Sequence, residues 1–229
     1  MTNKRKQVEE VDAVTSALSS GEQWVIKNRK SLIIVLAVAI LAVAGYFIAT
    51  NYINAQEEEA QTAMFKGEFY FERDSFEIAL NGNGADYIGF AAIADEYSCT
   101  KSGNLATAYA GFCAFALGNN EEALEYLEAY DGDSDERLLN PSVVAKKGDC
   151  YANMGDYDKA LDLFEEASKL ASNSLLTPIF LKKAAIIAEK TGDYSKAVSF
   201  YEEIKSKYEN TMTGYDIDRY IERAKSQIK

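Results

Sequence analysis

Carboxylates are the residues of this sequence with the most obvious capacity for chemistry. Glu57-Glu58-Glu59, Glu121-Glu122 and Glu165-Glu166 form clusters, and paired carboxylates do acid–base work when burial separates their pKa values. Asp131-Gly132-Asp133, followed by Asp135, offers oxygen ligands to a cation. It lacks the regular spacing and terminal bidentate glutamate of a calcium loop. At helical spacing the glutamates fall on the outward side of amphipathic helices, so the expectation is a solvated face and no catalytic residue.

The other reactive types point the same way. The sequence has no histidine, which removes the usual near-neutral proton shuttle and the commonest metal ligand. Its three cysteines, Cys99, Cys113 and Cys150, show no C-x-x-C spacing, so no metal site or disulfide framework is signalled. No nucleophile elbow, P-loop or dinucleotide fingerprint is present. We therefore expect neither an enzyme nor a cofactor-binding protein. A formal net charge of −12 argues against nucleic acid, which requires a basic footprint.

Residues 31 to 50 read SLIIVLAVAILAVAGYFIAT, twenty positions without a charge. At about 1.5 Å per residue such a helix matches a hydrocarbon core of about 30 Å. A cleaved signal peptide would have a shorter apolar run behind a shorter basic head, so an uncleaved single-pass anchor is expected. Lys27, Arg29 and Lys30 precede the run, whereas the first basic residue after it is Lys66. That asymmetry predicts a cytoplasmic N-terminus (1–30), an anchor (31–50) and a translocated remainder. Six Lys/Arg and four Asp/Glu occur in the first thirty residues, so the rest carries (24 − 6) − (36 − 4) = −14. An acidic body of this kind is repelled by anionic lipid.

Beyond the anchor, helix formers continue to about Phe71, giving a helical extension and degenerate repeat over 51–103. Tyr87, Phe90, Ile93, Ala94 and Tyr97 recur at helical spacing, predicting about three turns before a polar stop at 100–103. A period then appears. GDYDKALDLF begins at Gly155 and GDYSKAVSFY at Gly192, 192 − 155 = 37 residues apart, and Gly118 precedes Gly155 by the same interval. The pattern predicts three helix pairs, 104–137, 141–174 and 178–211, within a repeat region 104–229 closed by a capping helix. The glycines end each first helix. Pro141 and Pro178 are read as first helical positions behind the N-caps Asn140 and Thr177. Cys113 and Cys150 also lie one period apart, with Ile187 next in the series. A position that accepts Cys, Cys and Ile is apolar core.

Gly148, Tyr151, Gly155, Tyr157, Ala160, Phe164 and Ala167 in the second copy resemble the tetratricopeptide repeat, and the third copy matches comparably. The resemblance implies an all-α fold, a single transmembrane helix followed by a helical solenoid. The wider layout of basic tail, anchor, helical extension and short repeat array resembles the YfgM-like proteins, ancillary subunits of the bacterial Sec translocon. That resemblance implies residence in the inner membrane with the repeats in the periplasm. It also implies a part in passing secreted polypeptides to chaperones.

Stacked helix pairs leave a groove lined by the first helix of each pair. By register, the candidate partner-binding residues are Leu105, Phe112 and Phe115 in the first copy, Asp149 in the second, and Ile179, Lys182, Ile186 and Glu189 in the third. Phe112 and Ile186 suit either an apolar partner or inter-helix core, and periodicity does not separate the two. The sequence thus points to a membrane-tethered protein–protein interaction scaffold. A self-associating spacer or envelope-assembly scaffold is the alternative.

Overall fold

The computed structural model describes residues 2–132 and 136–228, with side chains in the first helix described for Glu22 and from Trp24 onward. The chain comprises two compact units, Met1–Asn54 and Ala55–Lys229. Helix α1 runs Thr2–Phe71. Its Trp24–Phe71 portion contains an 18-residue window of mean hydropathy 2.9, none of it buried, so length and composition suffice to cross a membrane.

In the second unit, α1 is followed by α2 (Phe76–Asn81), α3 (Phe90–Glu96), α4 (Lys101–Ala116), α5 (Asn120–Ala129), α6 (Leu139–Met154), α7 (Tyr157–Ala171), α8 (Thr177–Thr191), α9 (Tyr194–Tyr208) and α10 (Ile217–Lys225). No strand occurs among the described residues. Each helix from α3 to α10 packs chiefly on its neighbours in sequence, which is the quasi-one-dimensional packing of a solenoid.

The repeated Gly-Asp-Tyr has a three-part job. Gly155 and Gly192 sit at φ +86, the left-handed conformation that ends a helix. The following amides, on Asp156 and Asp193, donate back to the Tyr151 and Ala188 carbonyls at 2.9 Å. Asp156 and Asp193 then cap the next helix, their carboxylates accepting from the Lys159 and Lys196 amides at 3.3 and 2.9 Å. The tyrosine is the first residue of that helix.

Packing follows the same period. Cys113, Cys150, Ile187 and Ala224, each 37 after the last, are all buried, as are Ala106, Val143, Phe180 and Ile217. The capping helix α10 therefore takes the register of the first helix of a fourth unit. Gly148 meets the ring of Phe164 so closely that an added Cβ would stand 2.9 Å from Cε1. The equivalent pairs are Gly111 with Leu127 and Ala185 with the fully buried Tyr201. At the α10 position the residue is Glu222, which is exposed.

Three local expectations need correction. Thr100 is no helix stop: its hydroxyl accepts from the Gly103 amide at 2.9 Å and starts α4 three residues before Asn104. The helix expected over 87–97 is only Phe90–Glu96, because Gly89 at φ +94 breaks it and leaves Tyr87 buried in the preceding turn. Asn140 and Thr177 are not N-caps, since α6 and α8 begin at Leu139 and Thr177. The Thr177 hydroxyl instead accepts from the Asn173 amide at 3.0 Å, tying down the loop before α8.

Candidate protein-docking cleft

The first helices of successive pairs lie side by side, and cross-links between them define one face. Lys146 of α6 stands 4.2 Å over the ring of Phe115 of α4. Asp149 of α6 is held by Lys183 of α8 at 2.5 Å and by Lys146 at 3.6 Å. Glu189 of α8 meets Arg223 of α10 at 2.5 Å, and Lys182 meets Asp216 at 3.8 Å while lying 4.0 Å over the Tyr220 ring. Hydrogen bonding to Lys182 pulls the Tyr220 phenol below its usual pKa.

At the α4 end this face opens into a cleft of about 480 Å³ walled by Phe71, Phe76, Tyr109, Phe112, Phe115 and Leu139, with Lys146 at its edge. The rings brace one another: Phe71 meets Phe76 at 5.5 Å and Tyr109 at 5.1 Å, and Tyr109 stacks on the buried Phe90 at 4.9 Å. Burial, reinforced by the negative charges of Glu68 and Glu72, pushes the Tyr109 phenol up. A second, smaller cleft of about 380 Å³ is lined by Ile186, Glu189, Lys190, Tyr194, Arg223 and Gln227.

Among the sequence-derived candidates, Phe112 and Phe115 share the aromatic cleft, and Ile186 and Glu189 share the second. Leu105 is elsewhere, beside Glu57, Ser102 and Tyr130. Asp149 is half-buried between its two lysines, and Lys182 is half-buried against α10. Ile179 and Ile186 are 38% and 43% exposed, so neither is inter-helix core, whereas Phe112 is half-buried. Sequence reasoning missed Tyr109, Lys146 and Arg223, although Phe112, Asp149, Ile186 and Arg223 lie at successive 37-residue steps. Phe71 and Phe76 carry no periodic signal.

The carboxylate clusters are partly structural. Glu57 reaches across to the N-terminus of α4, accepting from the Ser102 amide at 3.0 Å and its hydroxyl at 2.8 Å. Burial raises its pKa, but the Ser102 and Gln61 hydrogen bonds outweigh that and hold the carboxyl below its ordinary value of 4.5. Glu165 is half-buried and bound by Lys196 at 2.6 Å. In the acidic loop, Asn104 accepts from the Asp131 amide and donates to its carbonyl, both at 2.8 Å. Asp133 and Asp135 lie outside the described residues. Among the described residues no group of three or more Cys, Asp or Glu could hold a metal ion.

Helix pairs stacked at a fixed period, with glycine ends and small-on-large contacts, define an all-α tetratricopeptide-type solenoid. Residues 141–210, the second and third pairs, match the tetratricopeptide repeat family model. The structure is similar to a crystal structure of nearly identical TPR-like repeats, from a Podosopora anserina chain assigned as a kinesin light chain. The TM-score is 0.52 at 15% identity, over 76% of this chain and 85% of the other. No curated protein matches the chain in sequence. Solenoids of this kind are in general binding scaffolds.

Proposed function

We propose that this chain is a membrane-tethered scaffold of the cell envelope that docks another protein on the face formed by α4, α6, α8 and α10. In this reading residues 31–50 anchor it in the bacterial inner membrane, the N-terminus is cytoplasmic and the repeats are periplasmic. The partner is a translocon or chaperone component concerned with secreted polypeptides, as the YfgM-like layout implies. The observation that carries the proposal is the aromatic cleft. Five half-buried aromatic rings around one open volume are a costly surface to leave facing water unless something covers it.

A photoreactive residue at position 112 should crosslink to a discrete partner in intact cells, while one replacing the outward-facing Glu125 should not. Equal labelling at the two positions would remove the cleft from consideration. Protease added to intact spheroplasts should degrade the repeats. Protection until lysis would reverse the assigned orientation.

A further inference from the structure

We infer that the aromatic cleft selects a basic partner segment: an apolar anchor side chain enters between Phe71, Tyr109 and Phe112, and flanking Lys or Arg residues meet Glu68 and Glu72. The inference rests on the docking function proposed above and adds the chemistry of the partner.

Charge distribution around the cleft carries the argument. Lys146, the cation at the edge, is already engaged by Asp149 at 3.6 Å and by the Phe115 ring. Asp149 is itself closed by Lys183. Glu68 in the last turn of α1 and Glu72 just after it bracket Phe71, a wall of the cleft, one helical turn apart, and neither has an ion-pair partner among the described residues. The neighbouring cations are engaged elsewhere: Lys66 pairs with Asp86 at 2.8 Å, and the Arg73 guanidinium lies 3.4 Å over the Phe69 ring. Both carboxylates act electrostatically on Tyr109, another wall of the cleft.

The C-terminal part of the same face lacks this imbalance, because Glu189 and Lys182 are neutralised by Arg223 and Asp216. Among the described residues, the unpaired charges that flank Phe71 are therefore negative. Residues 31–229 carry (24 − 6) − (36 − 4) = −14 overall, which attracts a cationic segment and repels an acidic one at long range. The volume of about 480 Å³ lies within the range of roughly 300–1,000 Å³ typical of ligand pockets.

The test is fluorescence anisotropy on the full chain in mild detergent. The probes are labelled 12-residue peptides with a central Trp, Phe, Leu or Met and Lys, Glu or Ser placed three and four residues either side. Lysine-flanked peptides should bind roughly fivefold or more tightly than glutamate-flanked ones, about what two exposed ion pairs supply. The Glu68→Gln/Glu72→Gln variant, which alters surface charge without touching the core, should cut that preference to the small part the overall charge leaves, while keeping anchor dependence. Phe112→Ala should weaken all peptides.

Equal or better binding of the glutamate series, a preference undiminished by the double variant, or no binding by any peptide would overturn the inference. So would a dimer of the full chain that Phe112→Ala dissolves, since a second copy would then be the occupant. A crosslink from position 112 that persists while the charge preference fails would leave the docking function standing and remove only this partner chemistry.

Discussion

Replacing Gly148 by alanine tests whether helix approach or helix propensity governs this fold. In an isolated helix the change is favourable by about 0.5–1 kcal/mol. Here the new methyl would lie 2.9, 3.1 and 3.2 Å from Cε1, Cδ1 and Cζ of Phe164. That ring is 2% exposed, so it cannot swing into solvent, and α6 and α7 must part. Overpacking of this kind costs about 1–3 kcal/mol, which exceeds the propensity gain. The net expectation is a loss of about 1 kcal/mol, or about 2–4 °C in Tm for a chain of this size. Circular-dichroism melts of the full chain in mild detergent would measure it. Phe164→Leu alone should destabilise, but in that background Gly148→Ala should be neutral or stabilising, giving a coupling of about 1–2 kcal/mol. Glu222→Ala, at the same register but exposed, should change stability by less than about 0.5 kcal/mol. A higher Tm for Gly148→Ala alone, or additivity with Phe164→Leu, would refute the close-approach argument.

Three further outcomes are expected. Glu57→Ala should lower Tm at neutral pH and flatten the acid limb of the stability curve. The folded pKa of Glu57 is depressed by its Ser102 hydrogen bonds, so its contribution is present above the unfolded value of 4.5 and is lost as pH falls through the folded one. Gly155→Ala or Gly192→Ala, each at φ +86, should cost about 1 kcal/mol in the same melts. Alkylation of the native chain at pH 8, read by mass spectrometry, should label the exposed Cys99 first. Burial pushes the Cys113 and Cys150 thiols up to about 12 and about 11, so these should react only on unfolding.

What was legible in the sequence was whatever repeats or is local. The period, the glycine helix ends and the buried Cys113 and Cys150 all follow from residues compared with their own copies. The helix long and apolar enough to cross a membrane was legible because composition alone marks it. Contacts between unlike elements were not. Glu57 caps a helix 45 residues away, and nothing in a run of three glutamates marks which one will do so. The cleft needed Phe71 and Phe76, contributed by segments outside the repeats. Helix ends also moved where side chains bonded differently from their statistical habit, as Thr177 did in receiving the Asn173 amide. The register of α10 was readable in principle, since Ala224 continues the series of Cys113, Cys150 and Ile187.

The step that joins Gly111, Gly148 and Ala185 arrives at Glu222 in α10. A long charged side chain there leaves no room for the close small-on-large pairing that the earlier positions make with Leu127, Phe164 and Tyr201. A helix laid against this side of α10 would have to stand further off than α5, α7 and α9 stand from theirs, so the spacing between modules is adjustable one residue at a time.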